Sequence, residues 1–137
     1  MGQLHVPVIL RNTRDLVMAR LGYLDPTHAR SVVTEALVDT GAVHLILPDT
    51  LAGQLGLLRL RTQFLMMADG RDGVYEQTEA VTVEVLGRAF EVGAVIMGQT
   101  VLLGAIVLEG LDLAVEDCTR GTLMPNLGTW ERPVYRA

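Results

Sequence analysis

The feature that most restricts the fold of this chain is a series of short apolar segments whose side chains alternate with a period of two. In Val81-Thr82-Val83-Glu84-Val85 the three valines fall on one face and the two polar residues on the other, as a half-buried antiparallel strand requires. Leu86-Gly87-Arg88 then predicts a turn, and residues 89–97 predict a second strand that pairs back on the first. The pattern therefore indicates a sheet built from hairpins.

Further strands are predicted on both sides of this hairpin, over residues 4–10, 31–38, 111–115 and 122–124. The first of them is expected at a sheet edge, because Pro7 has no N–H to donate to a ladder. A turn is expected near Arg120-Gly121. Residues 11–30 have a mixed pattern that predicts no element.

Two short helices are also expected. Pro48 is tolerated in a first helical turn, and Gly56 is placed to end the helix. Between them Leu51 and Leu55 fall four residues apart, on one helical face. The second helix is predicted over residues 104–108.

Two other segments can be read by length and composition. Residues 68–73 form a polar, glycine-bearing hexapeptide between apolar flanks, which predicts the tip of a long hairpin. Residues 92–108 carry no charge, but they are short of the roughly 20 residues that a membrane-spanning helix needs. Glycines interrupt this stretch, so two buried strands joined by a turn account for it better. The chain as a whole predicts a mainly β, barrel-like domain.

Composition limits the class of protein. The 137 residues can sustain one hydrophobic core, which predicts a single domain over residues 1–137. The formal net charge is −5 and there is no basic cluster, so neither a nucleic acid nor a membrane is an expected partner. The one cysteine, Cys118, cannot form an internal disulfide, which predicts a reducing compartment and a cytoplasmic location. The histidines at positions 5, 28 and 44 lack metal-ligand spacing, so no metal is expected.

A chemically distinctive motif follows the strand predicted over residues 31–38. The apolar run delivers Asp39 to the strand end, and Thr40 and Gly41 come directly after it. The carboxylate can act as an acid or a base, the hydroxyl can donate and accept, and the glycine lets backbone amides approach the carboxylate closely. The tripeptide alone is weak evidence, since an aspartate in such a place also serves as a turn or cap residue.

The order of features around this motif resembles that of the retropepsin-like aspartic proteases, in particular their small prokaryotic members. Asp-Thr-Gly is followed by a short helix, a glycine-bearing hairpin tip, two strands, and Val101-Leu102-Leu103-Gly104 before an apolar helix. The prokaryotic members often end, as here, in an acidic strand and a Gly-x-Leu-x-Pro-Asn stretch, residues 121–126. The resemblance covers residues 33–113. It implies a closed β-barrel of the acid-protease fold with a flap hairpin and one or two short helices, one lobe per chain.

The resemblance also implies a set of site residues. Asp39 matches the catalytic aspartate, Thr40 the residue whose hydroxyl braces the loop, and Gly41 the glycine beside the substrate backbone. Leu103 and Gly104 match the motif that packs under the active-site loop. The implied substrate-binding residues are Ala42, Val43, Ala68, Asp69 and Gly70. No cofactor is implied, and the expected partner is a peptide or protein substrate.

A single aspartate of this kind cannot perform the implied chemistry, which needs two carboxylates that share a proton. None of the seven other aspartates lies in an Asp-Thr-Gly or Asp-Ser-Gly setting. The second carboxylate must then come from a twofold-related copy. The sequence therefore predicts an aspartic endopeptidase active as a symmetric homodimer. By analogy with viral relatives, residues 4–10 and part of the C-terminal region are expected to interleave at the dimer interface.

The sequence departs from the family at two linked positions. Many viral members carry an acidic residue two places after the glycine, paired with an arginine just after the hydrophobic-Gly motif. Here the first position is Val43, and residues 105–108 contain no arginine. Because both partners are absent together, no buried charge is left unpaired. The departure leaves a second hypothesis open, a dimeric peptide-binding module of the same fold with little or no turnover.

Overall fold

In a computed structural model of the chain, the described residues are 3–66, 70, 72–117 and 122–125. For residues 116, 117 and 122–125 only the backbone is described. The strands are β1 (Leu4–Asn12), β2 (Ser31–Val38), β3 (Leu45–Leu47), β4 (Arg59–Leu65), β5 (Gly73–Val85), β6 (Arg88–Ile96), β7 (Val101–Leu103), β8 (Leu113–Asp117) and β9 (Thr122–Pro125). The helices are α1 (Thr13–Arg20), α2 (Asp49–Gln54) and α3 (Ala105–Leu111), with a 3₁₀ turn at Pro26–His28.

Six of the strands close into a barrel in the order β1-β2-β7-β3-β6-β5. The barrel closes because the end of β1, residues 9–12, pairs antiparallel with residues 81–84 of β5. The β2–β7 and β3–β6 pairs are parallel, and the other neighbours are antiparallel. β4 lies outside the ring and pairs with the first half of β5, so the two form a hairpin that extends from the barrel. The predicted mainly β closed barrel is confirmed.

The barrel interior is filled by the alternating residues of its strands. Val81, Val83 and Val85 are all buried, as their spacing predicts. They pack with the inward residues of the neighbouring strands, among them Val8, Leu10, Ala36, Leu45, Leu47, Val101 and Leu103. The core is therefore aliphatic and continuous around the ring.

Two helices close the barrel much as expected. α2 begins after Pro48, which is its N-cap rather than its first helical residue, and the chain leaves it through Gly56, whose φ is +63°. Leu55, directly after the helix, is fully buried. α3 runs three residues further than predicted and buries its apolar face in the barrel, with Val107, Leu108 and Leu111 in the core.

The stretch that predicted no element contains a third helix, α1. Its buried residue is Asp15, while Val17, Met18 and the following Leu21 are exposed. An apolar stripe facing the core is the usual sign of a surface helix, and α1 lacks it. For this reason the sequence pattern did not predict the helix.

The N-terminal strand corrects one expectation. β1 pairs with β2 over residues 4–11 and with β5 over residues 9–12, so it is an edge only in its first half, where Pro7 lies. Residues 4–10 thus belong to the barrel of their own chain. The expectation that they interleave with a second copy stays a prediction.

The C-terminal strands form a separate sheet. β8 and β9 pair antiparallel with each other and not with the barrel, within the described residues. The turn expected near Arg120-Gly121 lies outside the described residues, as do Cys118 and the chain after Pro125. The uncharged stretch 92–108 supplies the end of β6, all of β7 and the start of α3. None of the helices in the described ranges is long and apolar enough to cross a membrane.

Candidate active site

Asp39 stands at the end of two parallel strands. β2 ends at Val38, and the amide of Asp39 continues the β2–β7 ladder by donating to the carbonyl oxygen of Leu103 at 3.1 Å. The chain then turns back, and the amide of Ala42 donates to the carbonyl oxygen of Asp39 at 3.1 Å. Both backbone polar groups of Asp39 are therefore fixed by hydrogen bonds before its side chain takes part in any contact.

The side chain of Asp39 is held by the glycine that follows it in the motif. The amide of Gly41 donates to Oδ1 of Asp39 at 3.0 Å. A Cβ atom on Gly41 would lie 3.4 Å from the same oxygen, in van der Waals contact, so the carboxylate lies directly against the Gly41 backbone. The expected role of the glycine, to let an amide approach the carboxylate, is thus consistent with the geometry. Asp39 is half-buried, and Thr40 and Gly41 are exposed.

The loop after the motif is fastened to the start of α3 through the backbone. The amides of Gly104, Ala105 and Ile106 donate to the carbonyl oxygens of His44, Ala42 and Val43, at 3.1, 2.8 and 3.0 Å. First-turn amides of a helix have no partners within the helix, and here the loop carbonyls supply them. The approach is so close that a Cβ atom on Gly104 would lie 2.5 Å from the carbonyl oxygen of His44. The expected packing of Leu103-Gly104 under the loop is therefore found.

A cavity of about 220 Å³ opens on the outer face of the sheet next to this loop. Its walls come from three adjacent strands and the turn before β7, and the lining residues are Leu37, Ile46, Met97, Gly98, Gln99, Thr100 and Leu102. Leu37 lies two residues before Asp39, on the opposite face of β2 from the buried Ala36. The cavity is thus lined by apolar side chains of the strands and by polar groups of the turn at residues 98–100.

The β4–β5 hairpin packs over the same face. Leu65 near the end of β4 and Tyr75 near the start of β5 pack against a small buried cluster of Ile46, Val95 and Met97. Ile46 and Met97 also line the cavity, so the hairpin and the cavity share a wall. Toward its tip the hairpin exposes large apolar side chains, including Phe64, Met66 and Val74.

The structure brings together some of the predicted site residues and leaves others undescribed. Asp39 to Val43 form one hydrogen-bonded loop, in which Val43 is 56% exposed. Gly70 of the hairpin tip is exposed and has a φ of +84°, which favours glycine. Ala68 and Asp69 lie outside the described residues.

The cavity residues are the ones that the sequence did not predict. Their alternation marks Leu37 and Leu102 as outward-facing, but only the parallel pairing of β2 with β7 makes them neighbours. In the described ranges, no group of three or more histidine, cysteine, aspartate or glutamate residues is placed to hold a metal ion. The candidate site in the described residues therefore combines the Asp39 carboxylate, in a hydrogen-bonded loop, with a cavity on the same side of the sheet.

A family model described as "gag-polyprotein putative aspartyl protease" matches residues 29–110, which is more than half of the chain. The match runs from just before β2 into α3 and so includes the motif loop, the hairpin and the cavity walls. A comparison with curated proteins finds no match.

Proposed function

Since the chain belongs to the gag-polyprotein aspartyl protease family, which is retropepsin-like, we propose that it is an aspartic endopeptidase that acts as a symmetric homodimer. The observation that carries the proposal is the placement of Asp39. Its carboxylate lies in a loop held by backbone hydrogen bonds on both sides, next to a cavity that a hairpin overhangs. These contacts support a role for Asp39 as one half of a pair of aspartates.

The second half-site is proposed to come from another copy of the chain. With one motif per chain, Asp39 of one copy would face Asp39 of its partner across a twofold axis. The β8–β9 sheet supports this assembly, because within the described residues it has only two strands, whose outer edges are open to further pairing. Pairing with the same sheet of a second copy would give it the additional strands that it lacks in the described part of one chain.

The proposed mechanism uses the two carboxylates unequally. Two carboxyl groups about 3 Å apart cannot both ionise, so the pair holds one proton over a range of pH. The ionised Asp39 takes a proton from a water molecule, which attacks the peptide carbonyl carbon, while the protonated Asp39 donates to the carbonyl oxygen. The resulting diol then collapses: the first Asp39 gives the proton it took to the amide nitrogen, the second takes a diol proton back, and the C–N bond breaks to release an amine and a carboxylic acid. In each chain the Gly41 amide occupies Oδ1, which would leave Oδ2 to face the partner and the water.

The substrate is proposed to be an extended peptide between the hairpin and the outer face of the sheet. Within the described residues β4 pairs only with β5, so its other edge can accept backbone hydrogen bonds from a peptide strand. The cavity walls of Leu37, Ile46 and Leu102 favour an apolar side chain next to the cleaved bond. The hairpin would then act as a flap, and its exposed Phe64 and Met66 would be covered when a peptide binds.

The proposal is tested by incubating the purified protein with a diverse peptide library between about pH 4 and 7, where an aspartate pair can hold one proton. We expect cleavage, and we expect Asp39→Asn to abolish it while the circular dichroism spectrum and unfolding midpoint stay close to those of the wild type. Cleavage by the Asp39→Asn variant would disprove the role of Asp39. A protein that stays monomeric in light scattering, even with a peptide-like inhibitor bound, would disprove the shared site.

One observation favours the second candidate function, a peptide-binding module with little turnover. At the position where viral relatives carry an acidic residue, Val43 is exposed, and so is Ile106, whose amide donates to the Val43 carbonyl oxygen at 3.0 Å. The loop is thus fastened by backbone contacts and presents apolar side chains where a charged pair would grip substrate. Peptide binding without cleavage, in the same library experiment, would favour the module.

A further inference from the structure

β5 changes its partners where the hairpin leaves the barrel. Residues 73–78 pair with β4, whereas Gln77 and residues 80–85 pair with β6, and residues 81–84 also pair with β1. The ladder to β6 shifts register between Gln77 and Ala80, and the hydroxyl of Thr78 bridges the irregularity. That hydroxyl accepts from the amide of Ala94 at 3.1 Å and donates to the carbonyl oxygen of Glu79 at 2.7 Å. Bulges of this kind bend a strand, so the hairpin leaves the barrel at a local irregularity of β5.

Glu79 ties the two strands of the hairpin together at that point. Its Oε2 accepts from the amide of Leu58 at 2.8 Å, and its own amide donates to the carbonyl oxygen of Leu58 at 2.9 Å. Leu58 directly precedes β4. The side chain of Glu79 is only 13% exposed, so its contacts are shielded from solvent much more than those of a surface carboxylate.

Arg14 of α1 holds the carboxylate of Glu79 from the other side. Its Nε donates to Oε1 at 3.1 Å and its Nη2 to Oε2 at 3.0 Å, a two-point contact, and Nη2 also donates to the carbonyl oxygen of Gly56 at 3.2 Å. Burial raises the pKa of Glu79, but the hydrogen bonds from Arg14 and from the Leu58 amide outweigh it and leave the pKa lowered. The pair is therefore ionised at neutral and mildly acidic pH.

α1 is itself fixed to the barrel by a second ion pair, so Arg14 projects from a rigid base. Arg30, just before β2, donates from Nε and Nη2 to the two carboxylate oxygens of Asp15 at 2.8 and 3.0 Å. The side chain of Asn12 accepts from the amide of Asp15 at 2.9 Å. Because the buried residue of α1 is Asp15 rather than an apolar residue, the helix contributes ion pairs more than hydrophobic contacts.

We propose that Arg14 is a positioning residue that, through Glu79, fixes the base of the β4–β5 hairpin and so controls how the hairpin closes over the cleft. The claim that Arg14 restrains the hairpin rests on the hydrogen bonds among Arg14, Glu79 and Leu58. Its consequence for catalysis rests on the proposed function, in which the hairpin covers a bound peptide.

The experiment compares Arg14→Met, Arg14→Lys and Glu79→Gln with Arg11→Met, a matched control that removes a different ion pair to β5. Arg11 and Glu84 also form an ion pair that involves β5, but within the barrel and away from the hairpin. Hydrogen exchange of the full chain is measured by mass spectrometry. The exchange rates of the backbone amides in β4 and in residues 73–78 of β5 report how often the hairpin opens. Steady-state KM and kcat for a cleaved peptide are measured alongside.

We expect Arg14→Met and Glu79→Gln to speed exchange in the hairpin by about three- to tenfold, the range for a partly buried charged hydrogen-bonded pair, with β2 and β7 unchanged. Arg14→Lys keeps the charge but loses the two-point geometry, and we expect it to restore part of the protection. KM should rise more than kcat falls, because the hairpin must be ordered when substrate binds. Arg11→Met should leave hairpin exchange and KM as in the wild type.

Unchanged hairpin exchange in both Arg14→Met and Glu79→Gln would overturn the proposal, as would an equal increase in Arg11→Met. A variant whose exchange rises uniformly across the barrel has lost global stability, and this result would also contradict a local restraint. If no peptide is cleaved by the wild type, the proposed function fails, whereas the exchange result still decides whether Arg14 restrains the hairpin.

Discussion

The close contact between Gly104 and the motif loop predicts that one added methyl group, in Gly104→Ala, strongly destabilises the protein. Gly104 has φ −84° and ψ −176°, a backbone conformation that any residue can adopt. The space around it is what requires glycine, because a Cβ atom would lie 2.5 Å from the His44 carbonyl oxygen, 2.6 Å from the Val43 carbonyl carbon and 2.8 Å from the His44 nitrogen. All three are backbone atoms, which cannot rotate out of the way as a side chain can.

The cost of Gly104→Ala follows from the contacts that must shift. The loop and the start of α3 would have to separate, which strains the three hydrogen bonds from residues 104–106 to the carbonyl groups of residues 42–44. Losing two of these bonds at about 1 kcal/mol each, together with about 1–3 kcal/mol for overpacking, gives about 3–5 kcal/mol. This is a large part of the roughly 5–15 kcal/mol by which a domain is stable.

Urea unfolding followed by circular dichroism measures the effect, with Gly53→Ala as the matched control. Gly53 lies in α2, and a Cβ atom added to it would meet no other atom within 4 Å, so alanine there should be neutral or stabilising by up to about 1 kcal/mol. A Gly104→Ala variant within about 0.5 kcal/mol of the wild type, the usual range for surface substitutions, would show that the loop does not rest on α3 as described.

Three further predictions concern stability, each read from urea midpoints. Leu86 has φ +52° and lies beside Gly87 in the two-residue β5–β6 turn, a conformation that Asn adopts more readily. Leu86→Asn should therefore raise the free energy of unfolding by about 0.5–1 kcal/mol, and a decrease would contradict the turn geometry. Asp15→Asn should cost about 1–3 kcal/mol at pH 7. Since the hydrogen bond from Arg30 holds the pKa of Asp15 below its unfolded value, this difference should shrink as the pH falls through that lowered pKa, and a difference that grows in acid would refute the pairing. Leu103 is fully buried, so Leu103→Ala should lower the free energy of unfolding by about 2–5 kcal/mol, and a smaller effect would place Leu103 outside the core.

Much of the barrel could be predicted because the residue pattern within a single segment is enough to indicate a strand. β2 was predicted with its observed bounds, since a largely apolar run leads up to the aspartate, and the turn after Val85 follows from the glycine in it. α1 was missed because its inward residue is Asp15, paired with an arginine fifteen residues away that no local pattern can identify.

The candidate site likewise contains a part that the sequence predicts and a part that it does not. The Asp39 loop is local in sequence, and its hydrogen bonds to residues 104–106 were anticipated only through the family resemblance. The cavity needs Leu37, Ile46 and Leu102 to be neighbours, which follows from the non-sequential strand order β2-β7-β3. Long-range pairing of this kind is not encoded in the periodicity of any one segment. The two-point contact between Arg14 and Glu79 was not predicted either, because it also joins segments that are far apart in the sequence.

The central claim, that two copies of Asp39 form one site, is tested most directly by mixing chains. Wild-type protein is held at a fixed concentration, an excess of Asp39→Asn is added, and cleavage is measured after the subunits have exchanged. If the site is shared, a ninefold excess should lower the activity by about tenfold, because about one wild-type chain in ten then has a wild-type partner in a twofold dimer. Activity that stays constant as the variant is added would contradict the shared site and place the whole catalytic apparatus within a single chain.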